Sequence, residues 1–200
     1  MKRTLIIVGI VLFAILIFIV WPISSMIGSY NTMVKMDEGV KASWAQVENV
    51  YQRRMDLIPN LVNTVKGVAN FEKETLTQVI EARAKATQVT IDPTKMTADN
   101  FKQFEEAQGK LSSTLSRLMV TVEKYPELKA TDSFRELQSQ LEGTENRITT
   151  ERRRFNEVTM EYNAKIKGFP ASIVASFGGF KERPYFAATR GAEKAPEVKF

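Results

Sequence analysis

The chain has 200 residues, 44% of them hydrophobic, with 28 basic and 23 acidic side chains and a formal net charge of +5; that is enough for one domain with its own core and too little for two. It contains no cysteine and no histidine, which excludes thiol nucleophiles, disulfides, imidazole bases and the usual zinc and haem ligands. The charge excess is mild and no Lys/Arg cluster is interleaved with aromatics, so no nucleic-acid face is expected. There is also no Gly-rich phosphate loop and no GxSxG elbow, and the acidic residues are scattered along helix faces. The composition therefore points away from an enzyme, with no catalytic, cofactor-binding or metal residues expected.

The first element is the uncharged run Leu5 to Trp21, extended behind Pro22 by Ile23, Met26 and Ile27. It reaches the length of about 20 apolar residues that spans a bilayer. A cleaved signal peptide begins in the same way, with Lys2-Arg3 before an apolar stretch. The run is longer than a signal core, however, and no small-x-small site follows, so a retained anchor over residues 1–28 is expected. Lys2, Arg3 and Trp21 are expected at the membrane interface, Trp21 because an amphipathic ring prefers the headgroup level. The basic pair at one end, against a neutral stretch up to Lys35 at the other, favours a cytoplasmic N-terminus and a domain outside the cytoplasm. The expected setting is a single-pass protein of the bacterial inner membrane.

From Val40 the apolar positions step through Trp44, Val47, Tyr51, Arg54, Ile58, Leu61, Val65 and Val68 in threes and fours, a heptad seam. A shorter helix carries Leu76, Val79, Arg83 and Ala86 and stops before Asp92-Pro93. A third runs from Phe101 to Tyr125 and is closed by Pro126. A fourth begins near Asp132, read as its N-cap, and carries Phe134, Leu141, Ile148, Phe155, Tyr162, Ile166 and Phe169. Long amphipathic helices with short loops predict an all-α fold: an N-terminal transmembrane helix, then an antiparallel up-and-down four-helix bundle over residues 29–170 with long first and last helices.

Two residues disturb the first bundle helix. Pro59 cannot donate to the carbonyl of Met55, at a cost of about 3 kcal/mol in a straight helix, yet the heptad phase is unchanged across it; a kinked helix that continues is expected. Arg54 occupies a seam position, and a guanidinium is costly to bury alone. Either it snorkels, or it joins Arg83, Glu145 and Arg152, which interrupt the other stripes, in a polar layer clamped by Glu145, with Gln108 on the third helix as a further candidate member.

Residues 171–200 form a tail too apolar for a free linker. Ile173, Val174, Phe177, Phe180, Tyr185, Phe186, Val198 and Phe200 are its candidate contacts with another subunit or partner, and a homo-oligomer tied through this segment is expected. Truncation after Pro170 is then expected to leave the bundle folded and to shrink the particle.

The blocks Trp44-Ala45-Gln46-Val47, "RRMDLIPNLVNTVKG" (53–67), "EARAKA" (81–86), "YPELKA" (125–130), "LEGTENRI" (141–148), "EYNAKIKGFP" (161–170) and "PYFAA" (184–188), taken in order, resemble the bacterial LemA family from about Tyr30 to Ala188. The resemblance implies a single-pass membrane protein with a helical-bundle domain and no catalytic residues to transfer. It also implies a neighbourhood that includes a TPM-domain protein or a membrane zinc metalloprotease. The expected function is a non-enzymatic scaffold that self-associates at the lipid bilayer in envelope homeostasis; the alternative is an adaptor or regulator of a membrane-associated protease.

Overall fold

The structure, a computed structural model, describes residues 2–68 and 71–187, with Lys2 described only by its backbone. Among the described residues seven α-helices follow in chain order: α1 (Lys2–Ile15), α2 (Trp21–Lys66), α3 (Lys73–Gln88), α4 (Ala98–Val122), α5 (Pro126–Lys129), α6 (Asp132–Lys167) and α7 (Ala171–Gly178). A π-helical stretch, Leu16–Val20, joins α1 to α2. No strand occurs among the described residues. The helical run Arg3–Lys66 contains an 18-residue window of mean hydropathy 3.1, none of it buried, which is long and apolar enough to cross a membrane.

Local chemistry sets the helix starts. Asp92 accepts from both the backbone N–H and the hydroxyl of Thr94, a turn that ends the α3–α4 connection. Thr97 then caps α4: its Oγ accepts from the Asn100 N–H at 3.3 Å, and Asn100 Oδ1 accepts from the Thr97 N–H at 2.8 Å, the reciprocal capping box. Pro126 opens α5, where its missing donor costs nothing. At the start of α6 the cap is Thr131, whose Oγ accepts from the Phe134 N–H at 3.3 Å. This corrects the assignment of the cap to Asp132, which instead pairs with Arg135 within the first turn.

The chain divides into two compact units: Met1–Ala42 with Val158–Glu182, and Ser43–Glu157 with the chain from Arg183 on. In the first, Met33, Val40, Tyr162, Ile166, Ala171, Val174 and Ala175 are buried. The Tyr162 hydroxyl donates to the Lys181 carbonyl at 3.0 Å. Phe180 meets Tyr30 edge-on with ring centroids 5.4 Å apart.

In the second unit, α2, α3, α4 and α6 share one apolar core that includes Ile58, Leu61 and Val65, then Val79, Leu111, Leu118, Phe134 and Leu141. The heptad positions read along α2 and α4 are those that close it. Beside this core stands an aromatic cluster. Trp44 lies 5.2 Å from Phe104 and 5.7 Å from Phe155, and Phe101 stacks on Phe155 at 5.8 Å.

Pro59 sits inside α2, and the helix continues past it to Lys66. The Met55 carbonyl that Pro59 leaves without a donor accepts instead from Arg83 Nε at 2.9 Å. Arg83 thus restores from α3 the hydrogen bond that the proline removes from α2. Its place is at the Met55 carbonyl rather than among the arginines expected around Glu145. Arg83→Ala should cost about 1–3 kcal/mol, the penalty of a partly buried carbonyl left unpaired. In a Pro59→Ala background, where residue 59 donates again, the same change should cost much less. Urea titration of the four proteins tests this, and equal costs in both backgrounds would show the two residues to be uncoupled.

Candidate functional site: a polar cleft floored by a buried arginine

Within the second unit a cleft of about 570 Å³ opens between α2, α4, α6 and the extended tail; its lining includes Tyr51, Arg54, Glu105, Gln108, Glu145, Arg152 and Ala187. Arg54 is its floor. The side chain is only 2% exposed, so it does not snorkel. Its Nη1 donates to Ser112 Oγ at 2.8 Å and to Glu145 Oε2 at 3.0 Å, and its Nη2 donates to Gln108 Oε1 and to the Gln108 carbonyl. The guanidinium carbon also lies 5.0 Å from the centre of the Tyr51 ring, a favourable cation–π placement. Arg54 Nε and Gln108 Nε2 are buried with no hydrogen-bond partner.

A second pair lines the upper wall. Arg152 Nη2 donates to Glu105 Oε1 at 3.2 Å and to the Ala187 carbonyl at 3.0 Å, while its guanidinium sits 4.6 Å over the Phe186 ring. Glu105 Oε1 also accepts from the Ala187 N–H at 3.2 Å. Asn156 holds Phe186 by both backbone groups, accepting from its N–H at 2.8 Å and donating to its carbonyl at 3.0 Å. The tail is therefore bound as if to one more strand-like partner, by side chains of α4 and α6.

Of the four residues expected to form one polar layer, Arg54 and Glu145 meet directly, Arg152 lines the same cleft but bonds to Glu105, and Arg83 serves Met55. Glu145 is half-exposed, so it closes the edge of the cleft without being buried in it. Glu105, Ser112 and Tyr51 were not singled out beforehand: Glu105 and Ser112 lie off the apolar stripe of α4, and Tyr51 reads as an ordinary core residue. Gln108, by contrast, replaces an apolar residue on that stripe, and this is the signal that points to it.

The tail contacts need correction. Val174 and Phe186 are buried within the chain, because Phe186 fills the space between Trp44, Phe101 and Phe155 at centroid distances of 6.1, 4.6 and 5.5 Å. Phe180 is half-buried against Tyr30, and only Ile173, Phe177 and Tyr185 stay exposed. Val198 and Phe200 lie outside the described residues. At the N-terminus Arg3 and Trp21 are exposed, while nothing is described of the Lys2 side chain.

Burial pushes the Tyr51 phenol above its ordinary value, against the opposing pull of Arg152 and Arg54. Burial also pushes the Glu105 carboxyl above its ordinary value and outweighs the stabilising effects of Arg152 and the Ala187 N–H. A raised carboxylate means that the folded chain keeps a proton on Glu105 where the unfolded chain has lost it. This group's contribution to stability therefore falls as pH rises from the ordinary carboxylate value through the folded one, and is constant above. Glu105→Gln keeps an acceptor for Arg152 and should gain on the parent protein as pH is raised through that window in denaturant titrations. If the parent gained instead, the ion pair would outweigh burial.

Chemically, Arg54 pairs with Glu145 and Arg152 with Glu105, while the buried Arg54 Nε and Gln108 Nε2 are left without a partner among the described residues. Among the described residues no group of three or more Asp or Glu side chains is placed to hold a metal ion.

The sequence is similar to those of several known proteins. The chain is 28% identical to magnetosome protein MamQ 2 of Paramagnetospirillum magneticum over 181 residues, covering 82% of this chain and 66% of the relative. It is likewise 28% identical to magnetosome protein MamQ of Magnetospirillum gryphiswaldense, with the same coverage. To protein LemA of Metamycoplasma hominis it is 23% identical over 149 residues, covering 74% of this chain and 64% of that protein. The chain thus spans slightly less than two thirds of these relatives' length. The LemA family matches residues 43–200, which include the whole cleft, its buried arginine and the tail that closes it: the chain belongs to the LemA family.

Proposed function

We propose that this protein is a membrane-anchored, non-enzymatic scaffold that self-associates at the bacterial inner membrane and acts there in envelope homeostasis. The observation that supports this reading best is the pairing inside the cleft. Arg54 is held on one side by Ser112, Gln108 and Glu145, and Arg152 by Glu105 and Ala187, so these charges hold three helices, α2, α4 and α6, and the segment at Ala187 in register. Polar groups used in this way specify packing. A reaction would instead need some of them poised for a substrate. The naming of relatives for a cellular body rather than for a reaction accords with a structural role.

The exposed apolar helix that precedes this unit is the anchor. Its N-terminus is assigned to the cytoplasm by Lys2 and Arg3, with the helical domain outside. Copies meet along their anchors and through the chain beyond Lys181, where Tyr185 stays exposed. Side-by-side anchoring raises the local concentration that makes such contacts effective.

Two differently tagged full-length copies expressed together test the reading. Both should stay in the membrane fraction after alkaline carbonate washing, and either tag should retrieve the other after mild extraction. Release by carbonate would contradict the anchor; retrieval of one tag alone would contradict self-association.

A further inference from the structure

Helix α7, Ala171–Gly178, carries no charged residue and is apolar on both sides. Ala171, Val174 and Ala175 are buried, whereas Phe177 is 88% exposed and Ile173 is exposed beside it; Phe169, one turn earlier, is 86% exposed. Ile173 and Phe177 are four apart within α7, so they fall on one side of the helix, and Phe169 stands in the turn just before it. Apart from Ser172 and Ser176 the helix is apolar on its outer side as well as its inner one, which suits a protein core or lipid, and among the described residues Ile173 and Phe177 are left uncovered.

The location of this face says what covers it. The C-terminal end of α7 lies against Tyr30: the Phe180 ring meets Tyr30 at 5.4 Å, and a Cβ at Gly178 would stand 3.1 Å from the Tyr30 ring. Tyr30 follows Ile27 on α2 by three residues, about 4.5 Å along the helix. Ile23, Met26 and Ile27 are themselves exposed and continue the apolar surface of the anchor. The outer face of α7 therefore begins where the surface of the anchor ends. Lys165 and Lys167 in the last turn of α6, and Lys181 just past α7, flank it; Lys167 is paired with Glu182 at 2.8 Å. Lysines on both sides of the element in sequence, with exposed aromatic side chains between them, are the chemistry that suits an anionic headgroup layer.

We propose that α7 is a second membrane contact, lying in the headgroup region of the bilayer that the anchor crosses, with Phe169, Ile173 and Phe177 inserted among the acyl chains. This rests on the reading of the N-terminal helix as a bilayer span. It assigns the face to lipid rather than to a second copy of the chain. The conformation that presents the face is built in: Gly179 ends α7 at φ 73°, in the left-handed region where a side chain is strained, and turns Phe180 back onto Tyr30.

The absence of cysteine makes the test direct. Single-cysteine forms of the full-length chain, Phe177→Cys, Leu12→Cys within the anchor and Val120→Cys on an exposed part of α4, are labelled with an environment-sensitive nitrobenzoxadiazole dye. They are then placed in vesicles of phosphatidylcholine and phosphatidylglycerol. The label at 177 should show blue-shifted emission and lose intensity when nitroxide lipids are added, as should the label at 12, while the label at 120 should do neither. A label at 177 that behaves like the one at 120, with the label at 12 still quenched, would overturn this inference and leave the anchor intact. Failure of quenching at both 12 and 177 would overturn the anchor as well. A blue shift at 177 that resists nitroxide lipid but disappears on diluting the protein would show that another copy covers the face.

Discussion

Phe186→Ala is expected to lower the stability of the helical unit by about 3–5 kcal/mol, the range for removing a fully enclosed phenylalanine. The residue stands outside every helix, yet three aromatic rings and the Arg152 guanidinium enclose it, and both of its backbone groups are held by Asn156. Its loss leaves a cavity lined by Trp44, Phe101 and Phe155, which sit on three different helices and have no way to close it without moving backbone. Tyr185→Ala, at an exposed neighbouring position, should change stability by no more than about 0.5 kcal/mol. Denaturant titration of the two variants in detergent decides the matter, and similar midpoints would mean that the tail is only loosely seated. A consequence concerns truncation after Pro170. Because it removes Phe186 along with the exposed tail residues, it should weaken the helical unit itself, and it does not isolate the association proposed for the tail.

The second large effect is expected at the floor of the cleft. Gln108→Leu keeps roughly the volume of the side chain but removes the side-chain acceptor for Arg54 Nη2 and leaves it only the Gln108 carbonyl at 3.5 Å. Gln108 is 3% exposed and Arg54 2%, so water has no ready path to replace that acceptor. Leaving part of a buried charge unpaired should cost about 3–5 kcal/mol. Glu145→Ala removes the formal counter-charge, yet Glu145 is 54% exposed, so water takes its place and the loss should be smaller, about 1 kcal/mol. The ranking, neutral amide above carboxylate, runs against a view in which charge alone decides. Combining Gln108→Leu with Arg54→Met should recover much of the loss, since an apolar pair of similar volume needs no partners. Equal losses for Gln108→Leu and Glu145→Ala would show that the floor is wetter than its burial implies.

These sites also show which features were legible before the structure. The helices of the second unit were readable because a spacing of three and four is a local property, and Ile58, Leu61, Leu111 and Leu118 lie where their own helices require. The membrane-length helix was readable for the same reason. That Arg54 and Glu145 meet was suggested by two charges interrupting apolar stripes. Which arginine serves which acceptor was not, since Arg83 answers a backbone carbonyl freed by Pro59 on another helix, and no side-chain pattern records a missing N–H. Phe186 was misjudged for a related reason. An extended segment held by Asn156 and Glu105 has no periodicity of its own, so its burial depends on gaps in a core assembled from distant helices. The cap of α6 was misplaced by one residue because Thr131 and Asp132 are both good capping residues, and the choice between them is made by where the preceding turn of α5 ends.

The proposed function requires that the helical domain, held at the membrane by its N-terminal helix, work by association of copies. Light scattering on the full-length chain extracted in mild detergent, with the detergent contribution subtracted, measures this directly. Self-association predicts a protein mass that is a multiple of the 22.7 kDa chain and that persists on dilution; a protein mass equal to one chain would contradict it.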